Sequence, residues 1–316
     1  MKNEPQKPIS FLAYSDGTEN SVDAVRSGIR MAAATGGTLD ILHATQAPLE
    51  TEVAENAPHV GEPLPREEWS DLPDGLRHLA LDVLSWLAAE KICKVPGEIQ
   101  IRHHGATLRR VILENAKVPV RLWLSYDLPN EALTKLVKEY ETDLVIIRGE
   151  ETSMLKRLLG RNLAEAMALN LPTSILVIRG AVYPDTPFVI ASDGSESSKR
   201  TFGILRKILP AIKNPIGMLV KKGADTQDIQ EWLAAQNMKG FVETLEASGD
   251  EGETSPLNEI MEKLPQNRVL VLGASMRNFI LRTFTGSLPL ALVRAAPFSV
   301  LISKELPDKA DQEIKK

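Results

Sequence analysis

The segment VLGASMRNFILRTFTGS, Val271 to Ser287, ends an apolar run in Gly273 and reaches a second glycine followed by a hydroxyl at Gly286-Ser287. Glycines let main-chain N–H groups come close to phosphate oxygens, because no β-carbon stands in the way. A Gly-Ser pair opening a helical pattern adds the free N–H groups and positive dipole end of that helix, which favour an anion. Asp193, after the apolar run FVIAS, offers a carboxylate that can accept from ribose hydroxyls or an adenine amino group. Arg277 and Arg282 bring positive charge, and no acid lies between Gly273 and Ser287. The parts suit a nucleotide phosphate. Each part also has a purely structural reading. Ser287 with Pro289 makes a helix N-terminus, and Asp193-Gly194 makes a turn whose neighbours Ser195, Ser197 or Ser198 cap the next helix.

The elements that must position these groups occur twice. FLAYSDGTENS (Phe11–Ser21) matches FVIASDGSESS (Phe188–Ser198), DLVIIRGEE (Asp143–Glu151) matches NRVLVLGAS (Asn267–Ser275), and NLPTSILVIRG (Asn170–Gly180) matches AAPFSVLISK (Ala295–Lys304). Three landmarks in the same order indicate a tandem duplication. Asp16 to Gly149 spans 133 positions and Asp193 to Gly273 spans 80, so the first half carries about fifty extra residues. Part of the excess is residues 49–73, with seven carboxylates against Arg66, which reads as a mobile surface excursion. The rest lies at residues 97–117, read as an added strand and helix. The predicted domains are 8–180 and 187–304, joined by the turn-rich GAVYPDTP and followed by a charged tail, 305–316.

In the second half, FVIAS, IGMLV, GFVETLEAS, RVLVLG and FSVLIS read as strands, separated by four helical patterns. Near-continuous apolar strands alternating with helices predict an α/β fold, a parallel sheet covered on both faces. Ligands of such sheets bind at the carboxyl ends of strands beside the topological switch point. If the first and fourth strands are neighbours there, Asp193 and the loop after Gly273 face one crevice.

Composition narrows the function classes. Net charge is −5, which supplies no basic field for nucleic acid. No apolar run approaches the ~20 residues of a membrane helix, and the N-terminal stretch is too short for a signal-peptide core. A single cysteine, Cys93, excludes an internal disulfide and reads as a buried thiol. The five histidines show no metal spacing, so no metal site is assigned. The expected location is cytoplasmic. No nucleophile elbow, zinc motif, kinase signature or Walker A lysine is present. With no general base nameable near a γ-phosphate, at most slow ATP hydrolysis is expected.

Both halves resemble universal stress protein domains. That family's loop is Gly, two residues, Gly, nine residues, then Gly-[Ser/Thr], and here Gly273 and Gly286-Ser287 fit with nine residues, Arg277–Thr285, in register. Met276 replaces the middle glycine, and Asp193 stands at the family's first-strand aspartate. The resemblance implies adenine nucleotide alpha hydrolase-like, Rossmann-like domains, each with five parallel strands in order 3-2-1-4-5. It also implies ATP or AMP binding in members that keep the loop, and pairing of domains through their last strands, within one chain in tandem members or between chains in a homodimer. Gly249-Asp250 resembles a family turn beside the ribose and phosphates, and Asp250, Glu251 and Glu253 repel a bare triphosphate but suit Mg²⁺ when the nucleotide is ATP.

The two halves depart from the pattern differently. In the first, Asp16 and Gly149 are kept, but Thr152 stands at the second glycine and Arg161-Asn162 replace Gly-Ser. Glu150 and Glu151 lie where phosphate oxygens would approach, and Asn162 retains only a helix-capping role. The first half therefore reads as a degenerate counterpart. In the second, Met276 costs ~1–2 kcal/mol if φ must be positive, and its side chain can occupy the γ-phosphate's space. Nucleotide-binding candidates are Asp193, Gly249, Asp250, Gly273, Arg277, Gly286 and Ser287. Two functions remain open: a stress-response regulator binding ATP or AMP in the second half, and a ligand-free tandem scaffold engaging an unidentified protein partner.

Overall fold

The computed structural model describes residues 7–44, 63–64, 82–83, 99–104, 108–113, 118–125, 127–149, 163–199, 201–246, 256–273 and 288–304. The chain divides into two compact units, Met1–Ile146 and Ile147–Lys316.

The first unit contains β1 (Ser10–Ser15), α1 (Glu19–Thr35), β2 (Thr38–Ala44), β3 (Pro63–Leu64), β4 (Ile99–His104), β5 (Leu108–Leu113), β6 (Val120–Ser125), α2 (Pro129–Tyr140) and the start of β7 (Leu144–Arg148). Its strand order is β7-β1-β2-β6-β5-β4-β3. The first four strands are parallel, whereas β5, β4 and β3 add antiparallel beyond β6. Residues 97–117 therefore contribute two paired strands, and the helix expected there is not found among the described residues. β5 satisfies the backbone of the β6 edge, and β4 in turn satisfies that of β5. Of the acidic excursion, only Pro63 and Leu64 are described, paired with Gln100 and Ile99.

β1 is buried at all six positions, as an apolar central strand between two parallel neighbours must be. One buried acid holds this sheet's face. Asp40 is 1% exposed, and Oδ1 accepts from Arg121 Nε and Trp123 Nε1, both at 2.7 Å. Arg121 Nη2 donates to Asp40 Oδ2 at 2.5 Å. The guanidinium also lies 4.7 Å from the Tyr140 ring centroid, so the buried charge is both paired and hydrogen-bonded.

The second unit contains α3 (Leu163–Asn170), β8 (Ser174–Ile178), β9 (Phe188–Ser192), α4 (Glu196–Lys199), α5 (Thr201–Ile208), β10 (Ile216–Lys221), α6 (Gln227–Ala235), β11 (Lys239–Leu245), α7 (Pro256–Lys263), β12 (Val269–Gly273), α8 (Leu288–Ala295) and β13 (Ser299–Ser303). Its strands run β11-β10-β9-β12-β13-β8. The first five are parallel and, numbered within the repeat, have the order 3-2-1-4-5. β8, last strand of the first sequence repeat, pairs antiparallel with β13, last strand of the second, with Leu176 opposite Leu301. That ladder is why β8 groups with the second unit. The side chains of β12 and β13 are almost wholly buried, but β11 is not. Phe241 and Val242 are 43% and 45% exposed. As the edge strand of its sheet, β11 departs from the two-face burial that the sequence predicts.

Contacts around α8 fasten this arrangement. Arg294 on α8 pairs with Glu165 on α3. Arg179, just past β8, donates from Nη2 to Val293 O at 2.7 Å and from Nε to Ala296 O at 3.2 Å. A cation bonded to the last carbonyls of a helix satisfies orphan acceptors and opposes the negative dipole end.

Candidate functional site

The Ser-Asp-Gly turn explains itself locally. After β9, Asp193 Oδ1 accepts from Ser195 N–H at 3.0 Å, an Asx turn. Gly194 has φ 75°, and its N–H donates to Ser192 Oγ at 3.2 Å. A β-carbon at Gly194 would lie 2.9 Å from Asp225 O, so both conformation and space demand glycine. Ser192 Oγ donates to Ser198 Oγ at 3.0 Å, and Ser198 Oγ donates to Ser195 O at 2.7 Å. Ser195 Oγ accepts from Ser198 N–H at 3.4 Å, one residue ahead of α4.

The first repeat builds the same object. Asp16 Oδ1 accepts from Thr18 N–H at 3.0 Å, and Gly17, φ 80°, donates to Ser15 Oγ at 3.2 Å. The hydroxyls of Ser15 and Ser21 lie 3.1 Å apart, and Ser21 Oγ donates to Thr18 O at 2.8 Å. The six-residue spacing of Ser15 with Ser21, and of Ser192 with Ser198, is a lock between strand end and helix start. The sequence offers Ser195, Ser197 or Ser198 as caps, and the structure adds a partner at the strand end, Ser192. Its signal is the serine preceding each aspartate.

His43 also serves this turn. It is buried, its ring Cε1 lies 3.1 Å from where a Gly17 β-carbon would be, and Nδ1 is 3.0 Å from Ser15 O. Since a carbonyl only accepts, Nδ1 carries the proton.

The two landmarks of the second repeat do come to one edge. β12 pairs parallel with β9, Leu272 opposite Ala191, and β9 pairs on its other side with β10. Asp193 follows the carboxyl end of β9, and Gly273 is the carboxyl end of β12, opposite Ser303 of β13. The strand order reverses between these neighbours, which is where open α/β sheets hold ligands. Asp193 is exposed there. α8 begins at Leu288, directly after Gly286-Ser287. Gly249, Asp250, Met276, Arg277, Arg282, Gly286 and Ser287 lie outside the described residues, as do Glu150, Glu151, Thr152, Arg161 and Asn162 of the first repeat.

Beside β11, Lys263 Nζ contacts Glu243 at 2.9 Å and Glu259 at 3.3 Å. The hydrogen bond with Glu243, then that with Glu259, hold the ammonium above its ordinary pKa. Glu259 Oε1 also accepts from Glu246 N–H at 3.0 Å, which fixes the last described residue of that strand exit.

Gly149 differs from Gly273 in its surroundings. It is buried, its N–H donates to Ile178 O at 2.8 Å, and a β-carbon there would stand 2.2 Å from Arg179 Nη1. The glycine admits the guanidinium that binds the end of α8.

The universal stress protein family model matches residues 11–179, more than half of the 316. Among solved structures, a universal stress protein from Archaeoglobus fulgidus is 13% identical, with 96% of this chain and 98% of that one covered at a TM-score of 0.55. A functionally unknown protein from Pseudomonas aeruginosa PAO1 is 12% identical, with 97% and 95% covered at a TM-score of 0.52. At these identities the likeness is one of fold. A universal stress protein in complex with cAMP is 19% identical and overlaps 54% of this chain and 96% of its own at a TM-score of 0.34. No curated protein matches the chain.

Proposed function

The chain belongs to the universal stress protein family, and from that premise we propose that its second repeat binds an adenine nucleotide, ATP or AMP, as a regulatory ligand without efficient catalysis. The observation that supports this most is the parallel pairing of β9 with β12, Leu272 opposite Ala191, at the reversal of strand order. Asp193 is exposed at that edge, and the Asx turn uses one of about four acceptor positions on its carboxylate. The remaining positions suit ribose hydroxyls or an adenine amino group. Gly273, Gly286 and Ser287 would present main-chain N–H groups and the α8 N-terminus to phosphate, with Arg277 adding charge. Gly249 and Asp250 would lie by the ribose and phosphates, and Mg²⁺ would accompany ATP there. In this reading repeat 8–180 is structural and repeat 187–304 holds the ligand. The ligand regulates only if it favours one conformation over another.

Calorimetric titration of the full chain with ATP and AMP tests the proposal. Asp193→Ala and Gly286→Trp should each weaken binding, and Met276→Gly should strengthen it. No binding at millimolar nucleotide, or affinity indifferent to these substitutions, overturns it. One observation favours the scaffold reading instead: Asp16 and Asp193 form matching turns, so Asp193 has a structural occupation that needs no ligand.

A further inference from the structure

A cavity of about 440 Å³ lies in the second unit, at the amino ends of β9, β12 and β13. That is the sheet edge opposite to Asp193 and Gly273. Its walls are the inter-repeat linker, Arg179 to Pro187, the turn Gln266–Arg268 that enters β12, and Ser299 at the start of β13. A volume of this size falls within the roughly 300–1,000 Å³ of small-molecule sites.

The polar groups on these walls are biased toward donors. Ser299 is 6% exposed, and its Oγ accepts from Arg179 N–H at 3.1 Å, so its own proton is left to donate. Thr186 repeats this: Oγ1 accepts from Tyr183 N–H at 2.8 Å, and its hydroxyl proton is uncommitted. Arg268 makes no ion pair among the described residues, and its Nε is buried without an acceptor among them. Its guanidinium is steadied instead by the Phe241 ring, 5.3 Å from Cζ to centroid. Ser299 N–H donates to Arg268 O at 3.1 Å, so the entries of β12 and β13 that carry the two residues are joined by their backbones. Gln266 and Asn267 add exposed amides. The charged groups on the walls are Arg179, Arg268 and Asp185, two cations to one anion. Arg179 is occupied by the carbonyls of α8, so Arg268 is the cation that remains for a ligand.

We propose that this cavity is a second small-molecule site, one that takes a ligand through a carboxylate or phosphate oxyanion held by Arg268, Ser299 and Thr186. An oxyanion supplies the acceptors these donors lack, and a planar guanidinium binds it with two parallel N–H···O bonds. The site is independent of the nucleotide proposal, since it shares no residue with it and lies at the other end of the strands. Ligand binding there would tie the linker to the strand entries of the second repeat.

Amide-resolved NMR of the ¹⁵N-labelled full chain tests this with two probes, inorganic phosphate and succinate, titrated separately at constant ionic strength. The expected result is saturable shifts confined to residues 179–187, 266–268 and 299, and the tighter probe identifies the oxyanion class. Arg268→Gln should weaken that probe by about tenfold or more, and Ser299→Ala by roughly threefold. Asp185→Asn, which removes a like charge and leaves the donors in place, should tighten it about two- to threefold. Shifts that do not saturate at millimolar probe, that centre elsewhere, or that are equal in Arg268→Gln and the parent chain overturn the proposal. So does a loss of affinity in Asp185→Asn.

Discussion

Replacing Lys304 by methionine should stabilise the protein at neutral pH and lose that advantage as the pH rises. Lys304 directly follows β13 and is 3% exposed, with Nζ donating to Leu171 O at 2.7 Å. Burial lowers its pKa from 10.5 to about 8. At about 1.4 kcal/mol per pH unit, carrying the charge costs the folded state about 3 kcal/mol. Methionine keeps the length of the side chain and removes that cost, but leaves the Leu171 carbonyl without this donor, a loss of about 1 kcal/mol. The net expected gain at pH 7 is about 2 kcal/mol. The sign with pH follows from proton counting. Below pH 8 both folded and unfolded chains hold the proton, so the difference between variants is flat. Between about 8 and 10.5 the unfolded chain keeps a proton that the folded chain has released, so the stability of the parent rises relative to the variant. Above that window the parent should be the more stable by about 1 kcal/mol, the value of the hydrogen bond. Urea unfolding of both chains from pH 7 to 11, with a ¹³Cε titration of Lys304 in the native state, measures this. A difference that stays constant across the window, or a parent that is favoured at pH 7 and loses stability on deprotonation, refutes the reasoning.

Asp40→Ala should destabilise the first unit by about 2–3 kcal/mol, because it takes the carboxylate from a half-buried guanidinium and from the buried Trp123 indole N–H; denaturant unfolding should show it, with Asp40→Asn retaining part of the stability. Gly149→Ala should cost roughly 1–3 kcal/mol through the clash with Arg179, read as a lowered melting temperature, and Arg179→Ala in the same background should relieve the clash while giving up its bonds to the α8 carbonyls. Gly194→Ala should cost about 1–2 kcal/mol or more, from positive φ and from the approach to Asp225 O, with unfolding midpoints again the measure.

The parallel sheet of the second repeat was legible because its strands are short apolar runs alternating with helical periods, whereas the order 3-2-1-4-5 rested on the family resemblance. The Ser-Asp-Gly turns were legible because a left-handed glycine after an Asx residue leaves few alternatives. The insertion was not: IQIRHH and LRRVIL mix charge with apolar residues, so neither alternation nor helical period dominates, and only pairing with the β6 edge decides the matter. Exposure of Phe241 was also hidden, since edge position is a property of the sheet. The ring lies over Gly217 on β10, where a β-carbon would fall 2.2 Å from it, and that complementarity crosses strands far apart in sequence.

The same separation between motif and purpose bears on the candidate site. Gly149 stands at the entrance of a loop that resembles a phosphate cradle, yet its lack of a β-carbon makes room for Arg179. Asp193 is proposed as a nucleotide contact and Asp16 is its counterpart, yet each closes a turn between a strand and a helix. Residues with such structural duties would be kept whether or not a ligand binds, so their presence discriminates poorly between the two functions. Substituting them also disturbs the fold, so weaker binding by Asp193→Ala counts where the melting temperature is unchanged. Met276 is different in kind. Replacing it by glycine restores the loop's sequence pattern while leaving every residue of the strands, turns and helices described above unchanged, and a scaffold has no reason to respond to it. Tighter nucleotide binding by Met276→Gly at unchanged melting temperature would therefore report on the loop alone, whereas an unchanged affinity would leave the turn at Asp193 with its structural duty only.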